Sequence, residues 1–217
     1  ASTRAVAKEI EVALIELEDW NCCGATSYSS MAELSAYSLS ARNLALAQQR
    51  GLDLVAPCSA CYTVLRKTQV YLEQYPKLRR QVDEALAAGG LKYNGGVKVH
   101  HALELVLNSD GQKAVQSNIR KRLTGLKVAP YYGCQTVRPL ADLDDPEYPT
   151  SMDKLLTDLG AEVVYFPMKS RCCGGSQMLS REKLALELVY KLLASAKENG
   201  AQCLVTVCTA CHTNLDL

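Results

Sequence analysis

The 217-residue sequence contains one phenylalanine and one tryptophan, so its aromatic positions fall to eleven tyrosines. No apolar stretch approaches the roughly 18–20 residues that span a bilayer, so no direct membrane insertion is expected and any membrane link would run through a partner. An excess of either sign of charge is missing too. A formal net charge of +1 gives no electrostatic case for nucleic acid or an anionic membrane surface. With 48% hydrophobic and 22% charged residues the composition is that of an ordinary globular chain, and disorder is not expected. These absences read as a soluble, cytoplasmic protein.

What the sequence does hold is thiols. Ten cysteines in such a chain point to metal binding or redox chemistry before a disulfide framework. Cys22-Cys23-Gly24 and Cys58-Ser59-Ala60-Cys61 recur 150 positions later as Cys172-Cys173-Gly174 and Cys208-Thr209-Ala210-Cys211. The repeat extends past cysteine. At the same offset Leu34 matches Leu184, Leu54-Val55 matches Leu204-Val205, and Ala60, Thr63 and Leu65 match Ala210, Thr213 and Leu215. Core-like residues in equivalent places are the mark of one structural unit used twice.

Each copy alternates short apolar runs with longer helical patterns. In the first, Val12 to Leu17 and Leu52 to Ala56 predict strands running into Cys22 and Cys58, and Val97 to Val99 predicts a third. Between them Met31 to Arg50 predicts a helix stopped by Gly51, and a second long helical stretch runs to about Leu86. In the second copy Leu126 to Tyr132, Glu162 to Phe166 and Cys203 to Val207 predict strands, with a helix over Leu179 to Glu198 that closes at Gly200. This order predicts an α/β fold of two pseudo-equivalent βαβ-type units with parallel sheets and cysteines at the carboxyl ends of strands. The join falls near Thr124-Gly125, giving units 1–124 and 125–217. At the repeat offset, the counterpart of Cys134 falls before Ala1 and that of the Val97 strand falls beyond Leu217. The expectation is therefore a longer protein. Its first unit would have a further strand and cysteine in front, and its second a further strand and helix behind.

Three chemistries compete for the thiols. Zinc needs four ligands converging on one tetrahedral ion, which adjacent cysteines serve poorly. Dithiol exchange would explain a lone Cys-x-x-Cys at a helix start, where the dipole favours thiolate, but leaves the upstream vicinal pair unused. An iron–sulfur cluster uses every thiolate and tolerates their spread. Residues alone favour iron–sulfur and leave zinc at one site and dithiol exchange open.

Gly133-Cys134, Cys172-Cys173-Gly174-Gly175 and Cys208-Thr209-Ala210-Cys211-His212-Thr213-Asn214-Leu215 together resemble the cysteine-rich CCG domain. Trp20-Asn21-Cys22-Cys23-Gly24-Ala25 with Pro57-Cys58-Ser59-Ala60-Cys61-Tyr62 resembles the same family's first domain, and the tandem is similar to the catalytic B subunit of heterodisulfide reductase. Related tandem proteins include subunits of lactate and glycolate oxidation systems and of some succinate dehydrogenases. The resemblance implies two noncubane [4Fe-4S] clusters. One would take Cys134, Cys172, Cys173, Cys208 and Cys211; the other Cys22, Cys23, Cys58 and Cys61 plus a ligand outside this sequence. It implies an oxidoreductase that reduces, or forms, a small disulfide in two one-electron steps, in methanogenesis or sulfur metabolism. It also implies a flavin-containing A subunit and a ferredoxin-like C subunit as partners. That fits a sequence without a Gly-rich dinucleotide motif or a ferredoxin-type cluster motif. The alternative is a non-catalytic electron-transfer or zinc-stabilised assembly subunit of the same kind of complex.

Other residues carry weaker signals. His100 and His101 follow a strand end and could donate protons, though surface or capping roles compete. His212 follows a presumed ligand and could tune it. Lys169, Arg171 and Arg138 flank the second cysteine set and could pair with anionic substrate groups. Tyr131 and Tyr132 could pack a cluster or simply fill the core. Cys203 has Asp53 as its counterpart, lies outside the duplicated pattern, and is expected to be a buried apolar thiol.

Overall fold

Gly51 and Gly200, both at positive φ, stop the two 17-residue helices that the repeat predicts. The computed structural model describes residues 2–25 and 31–216. In chain order its elements are α1 (Ser2–Glu9), α2 (Glu33–Gln49), β1 (Leu54–Ala56), α3 (Ser59–Gln74), α4 (Pro76–Ala88) and β2 (Val99–His101). Then come α5 (Glu104–Leu107), α6 (Ser109–Asn118), β3 (Lys127–Tyr131), α7 (Gly133–Val137) and α8 (Ser151–Asp158). The last are β4 (Glu162–Val163), α9 (Glu182–Glu198), β5 (Cys203–Thr206) and α10 (Thr209–Asp216). The fold is α/β with parallel sheets, as the alternation of elements predicts.

By packing, the chain divides into two compact bodies. One comprises Ile15–Ala56 and Ala60–His101; the other comprises Ala1–Leu14, Pro57–Ser59 and Ala102–Leu217. In the first, β1 and β2 pair in parallel with Leu54 opposite Val99 and Ala56 opposite His101. The helical stretch between them is two helices. Pro76 cannot continue a helix and instead opens α4, with Tyr75 extended before it. Helix α2 packs on α4, and its buried Ser40 accepts a hydrogen bond from Thr68 Oγ1 of α3 at 2.9 Å. Gln69 donates to Tyr93 Oη and to the Val97 carbonyl, which fastens the connection leading into β2.

In the second body the sheet order is β4-β3-β5, all parallel. Its central strand reads Lys-Val-Ala-Pro-Tyr and is buried from Val128 onward, as a strand flanked on both sides must be. Tyr132, Val137, Met152 and Leu103 form one buried cluster; Val128, Leu156 and Ala161 form another. The first amides of α8 are all accounted for: Asp144 accepts from Thr150 and Ser151, and Tyr132 Oη accepts from Met152 and Asp153.

Four expectations are corrected. The strand expected over Val97 to Val99 lies at Val99–His101, so His100 and His101 are within it rather than after it. Residues 12–17 form no strand, since no strand lies beside them among the described residues and Ile15 is 66% exposed. The strand expected over Glu162 to Phe166 shortens to Glu162–Val163 at a sheet edge. Cys203 is exposed, because it is the first residue of β5, which lies at the other edge.

Candidate metal centre

In the sheet β4-β3-β5 the chain leaves β3 toward one side, and β5 sits on the other. The carboxyl ends of β3 and β5 therefore border the crevice where parallel α/β sheets take their ligands. Cys134 lies three residues past β3, and Cys208 lies two past β5. Cys172-Cys173 lies in the loop after β4, and Cys211 is in the first turn of α10.

These five thiols meet as a string. Cys173 Sγ lies 3.4 Å from Cys211 Sγ, Cys172 acts on the thiols of Cys134 and Cys173, and Cys208 acts on that of Cys211. The string continues beyond the set, for Cys58 Sγ lies 3.9 Å from Cys208 Sγ, its counterpart at the repeat offset. In the first body the equivalent of the Cys173–Cys211 contact recurs, with Cys23 Sγ 2.9 Å from Cys61 Sγ. Exposure follows the repeat at three of the four pairs: Cys22 and Cys172 are exposed, Cys23, Cys173, Cys58 and Cys208 are buried, but Cys61 is half-buried where Cys211 is buried.

Crowding the thiols sets their protonation. The hydrogen bonds from Cys134 and Cys173, with the Gly174 amide, hold Cys172 well below the usual thiol range. Hydrogen bonds to neighbouring sulfurs push Cys134, Cys173 and Cys211 up, and burial adds to this. Ionising all of them calls for cationic charge in their midst, which is the demand a metal core meets.

The glycines explain their own positions. Gly24 and Gly174 both take φ near +80°, a region that favours glycine. A side chain at Gly174 would stand 3.0 Å from Ala185 Cα and Leu188 Cδ1 of α9, whereas at Gly24 it would meet Ala36 no closer than 3.6 Å. Gly174→Ala is therefore expected to cost about 3 kcal/mol and Gly24→Ala about 1 kcal/mol, read from chemical-denaturation midpoints of the metal-free chain. Equal costs would mean that the close packing on α9 contributes nothing. Gly133 is also at positive φ, and a Cβ there would approach Cys211 Sγ to 3.2 Å.

Of the sequence candidates, His101 is buried at the end of β2, edge-on to Tyr62 at 5.7 Å; His100 is half-buried and His212 exposed. Tyr131 is fully buried against Phe166 and donates to the Arg171 carbonyl at 2.8 Å. Burial raises its pKa strongly, and the adjoining thiols raise it further. Arg171 is exposed, and Arg138 donates to the Ser170 carbonyl at 2.7 Å. Lys169 points inward. It is buried against Asp153 at 2.6 Å. Asn214 has a role that the motif alone did not disclose: its amide donates to the Cys173 carbonyl at 2.7 Å, tying α10 to the vicinal pair. The clue was a polar residue where the first repeat has Val64. Asn21 does comparable work in the first body: its side-chain amide donates to the Leu39 carbonyl, and its backbone amide and carbonyl pair with the Asn43 side chain of α2.

Among the described residues no group of three or more His, Cys, Asp or Glu side chains is arranged to hold a metal ion. A string of pairwise sulfur contacts and a tetrahedral cage are different objects. Fold and thiols together define a tandem cysteine-rich α/β protein. Comparison with known proteins is specific: residues 1–66 and 128–216 match the cysteine-rich domain termed CCG, and the chain belongs to that family. It is 33% identical over its whole length to the 8-methylmenaquinol:fumarate reductase membrane anchor subunit of Wolinella succinogenes, covering 75% of that protein. It is 29% identical, over 99% of its length and 73% of the relative's, to the B subunit of the ferredoxin/F(420)H(2)-dependent CoB-CoM heterodisulfide reductase of Methanosarcina acetivorans. A protein of Archaeoglobus profundus described as like the heterodisulfide reductase B subunit is 28% identical, over 99% of this chain and 74% of that one. The resemblance to the B subunit of heterodisulfide reductase thus covers nearly the whole chain. A crystal structure of a hypothetical protein from Helicobacter pylori shares the fold at a TM-score of 0.62 and 14% identity, with this chain spanning 45% of it.

Proposed function

We propose that this chain is the iron–sulfur subunit of a heterodisulfide-reductase-type complex, acting on a small disulfide or on the thiols that form it. The observation that carries the reading is the gathering of Cys134, Cys172, Cys173, Cys211 and Cys208 around the 3.4 Å Cys173–Cys211 contact, with its twin contact between Cys23 and Cys61. A string of thiols favours a polynuclear cluster over one zinc ion. In this reading Cys134, Cys172, Cys173, Cys208 and Cys211 hold one cluster, and Cys22, Cys23, Cys58 and Cys61 contribute to the other. The CCG domains extend over 1–124 and 125–217. When bound, such clusters supply one-electron transfers, two of which make up the two electrons that a disulfide requires.

The protein's own residues prepare that chemistry. The Gly174 and Gly175 amides point at Cys172 and Cys173 sulfur at 3.3 and 3.4 Å and favour their thiolate forms. Tyr131 and Phe166 close the site on its inner side, while exposed Cys172 leaves an open end for a substrate sulfur. Among the described residues no helix is long and apolar enough to cross a membrane. A flavin-containing subunit and a ferredoxin-like subunit are the proposed electron partners. A second reading, an electron-carrying subunit without disulfide chemistry, draws on the similarity to the fumarate reductase anchor subunit.

Anaerobically purified chain, analysed for iron, acid-labile sulfide and zinc and then assayed with a reduced viologen and a low-molecular-weight disulfide, tests both readings. Iron with sulfide and viologen-dependent disulfide loss are expected. Iron and sulfide without turnover select the electron-carrying reading, and zinc alone removes both.

A further inference from the structure

The carbonyls of three consecutive residues just before Cys172 are each held from the segment that carries Cys134. Lys169 O accepts from the Tyr132 and Gly133 amides at 2.9 and 3.1 Å. Ser170 O accepts from Arg138 Nη2 at 2.7 Å, and Arg171 O accepts from Tyr131 Oη at 2.8 Å. The segment that presents Cys134 and the loop that presents Cys172 are thus stitched together.

Behind the stitch lies a buried charge. Lys169 Nζ donates to Asp153 Oδ1 at 2.6 Å and to the Pro149 carbonyl at 3.0 Å, and stands over the rings of Tyr148 at 4.5 Å and Tyr132 at 5.6 Å. Tyr132 Oη donates to Asp153 Oδ2 at 2.6 Å while accepting from the first turn of α8. The lysine side chain is only 4% exposed and the aspartate 23%. A buried ion pair is an expensive way to gain stability, since well-packed apolar residues often serve as well. What it supplies is direction: no apolar side chain can bond a carboxylate and a carbonyl from one point while its own carbonyl receives two amides.

We propose that Lys169 is a positioning residue, and that the Lys169–Asp153–Tyr132 network sets the spacing of Cys134 and Cys172 before any metal arrives. The network ties the 169–171 stretch to the start of α8 through the lysine side chain, and to the end of β3 through the lysine backbone. This inference rests on the reading of these cysteines as metal ligands, but its first readout requires no metal.

Amide hydrogen exchange at Tyr132 and Gly133 is measured in the metal-free full-length chain, followed by iron content and the electron paramagnetic resonance signal after anaerobic loading with iron and sulfide. Lys169→Met is expected to speed exchange at both amides at least tenfold and to shift the loaded signal. Lys169→Arg, which can keep Asp153 and Pro149 as partners, is expected to restore most of both. Lys169→Met combined with Asp153→Leu removes the stranded carboxylate and recovers thermal stability, yet exchange stays fast and the signal stays shifted. If that double variant shows wild-type exchange and a wild-type signal, the network only stabilises the fold and the proposal is wrong. Should the single variant not fold, the double variant and Lys169→Arg decide the matter. Altered exchange in a chain that takes up no iron keeps the network's role in placing the loops and removes the metal reading alone.

Discussion

Cys211→Ser is expected to lower iron and sulfide by about half and to abolish viologen-dependent disulfide loss, while the chain stays folded. Cys211 is buried, with its sulfur 3.4 Å from Cys173 Sγ. Serine fills nearly the same space, but its oxygen is a hard ligand with a shorter reach, so the soft donor set loses one of its buried members. The duplicated site predicts which iron remains, namely that on the Cys22, Cys23, Cys58 and Cys61 side. Cys203→Ser is the control. Cys203 is exposed at the start of β5, away from the carboxyl ends of the strands, and its loss leaves iron and activity unchanged. A Cys211→Ser protein with full iron content and full turnover would move the chemistry away from this string.

Tyr131→Ala is expected to cost about 4 kcal/mol and Tyr131→Phe about 1–2 kcal/mol, measured by denaturant unfolding of the metal-free protein. The ring is fully buried, 6.3 Å from Phe166, and its truncation leaves a cavity directly behind the thiols. Phenylalanine keeps the ring and loses only the hydrogen bond to the Arg171 carbonyl, so the gap between the two variants measures packing. If phenylalanine proves as damaging as alanine, the hydroxyl outweighs the ring. The result bears on composition too. With a single phenylalanine in the chain, tyrosine supplies most of the buried rings, and here its hydroxyl is turned to positioning a loop.

Much of this is legible in the residues alone. The repeat offset identifies equivalent thiols, and equivalent sulfur pairs do meet, Cys23 with Cys61 and Cys173 with Cys211. Gly51 and Gly200 mark helix ends because a positive φ at a helix end is a local demand that glycine meets. The run over Val12 to Leu17 misleads for the opposite reason. Apolar residues announce a strand only if another strand is there to pair with, and none lies beside them among the described residues. Lys169 misleads through its charge. Lysines are usually solvated, and nothing near it in sequence reveals that Asp153 and two tyrosine rings enclose it.

By itself the sequence determined the duplicated thiol pattern, the alternation of strand and helix, and the glycines that turn the chain after each vicinal pair. These are short-range matters of spacing and backbone freedom. The tertiary structure alone decided that β3 lies between β4 and β5, which brings Cys134, Cys172 and Cys208 into one string. It also turned Lys169 inward and Cys203 outward, and set Cys58 against Cys208. Strand order and burial depend on partners distant along the chain, and no local period encodes which partner that will be.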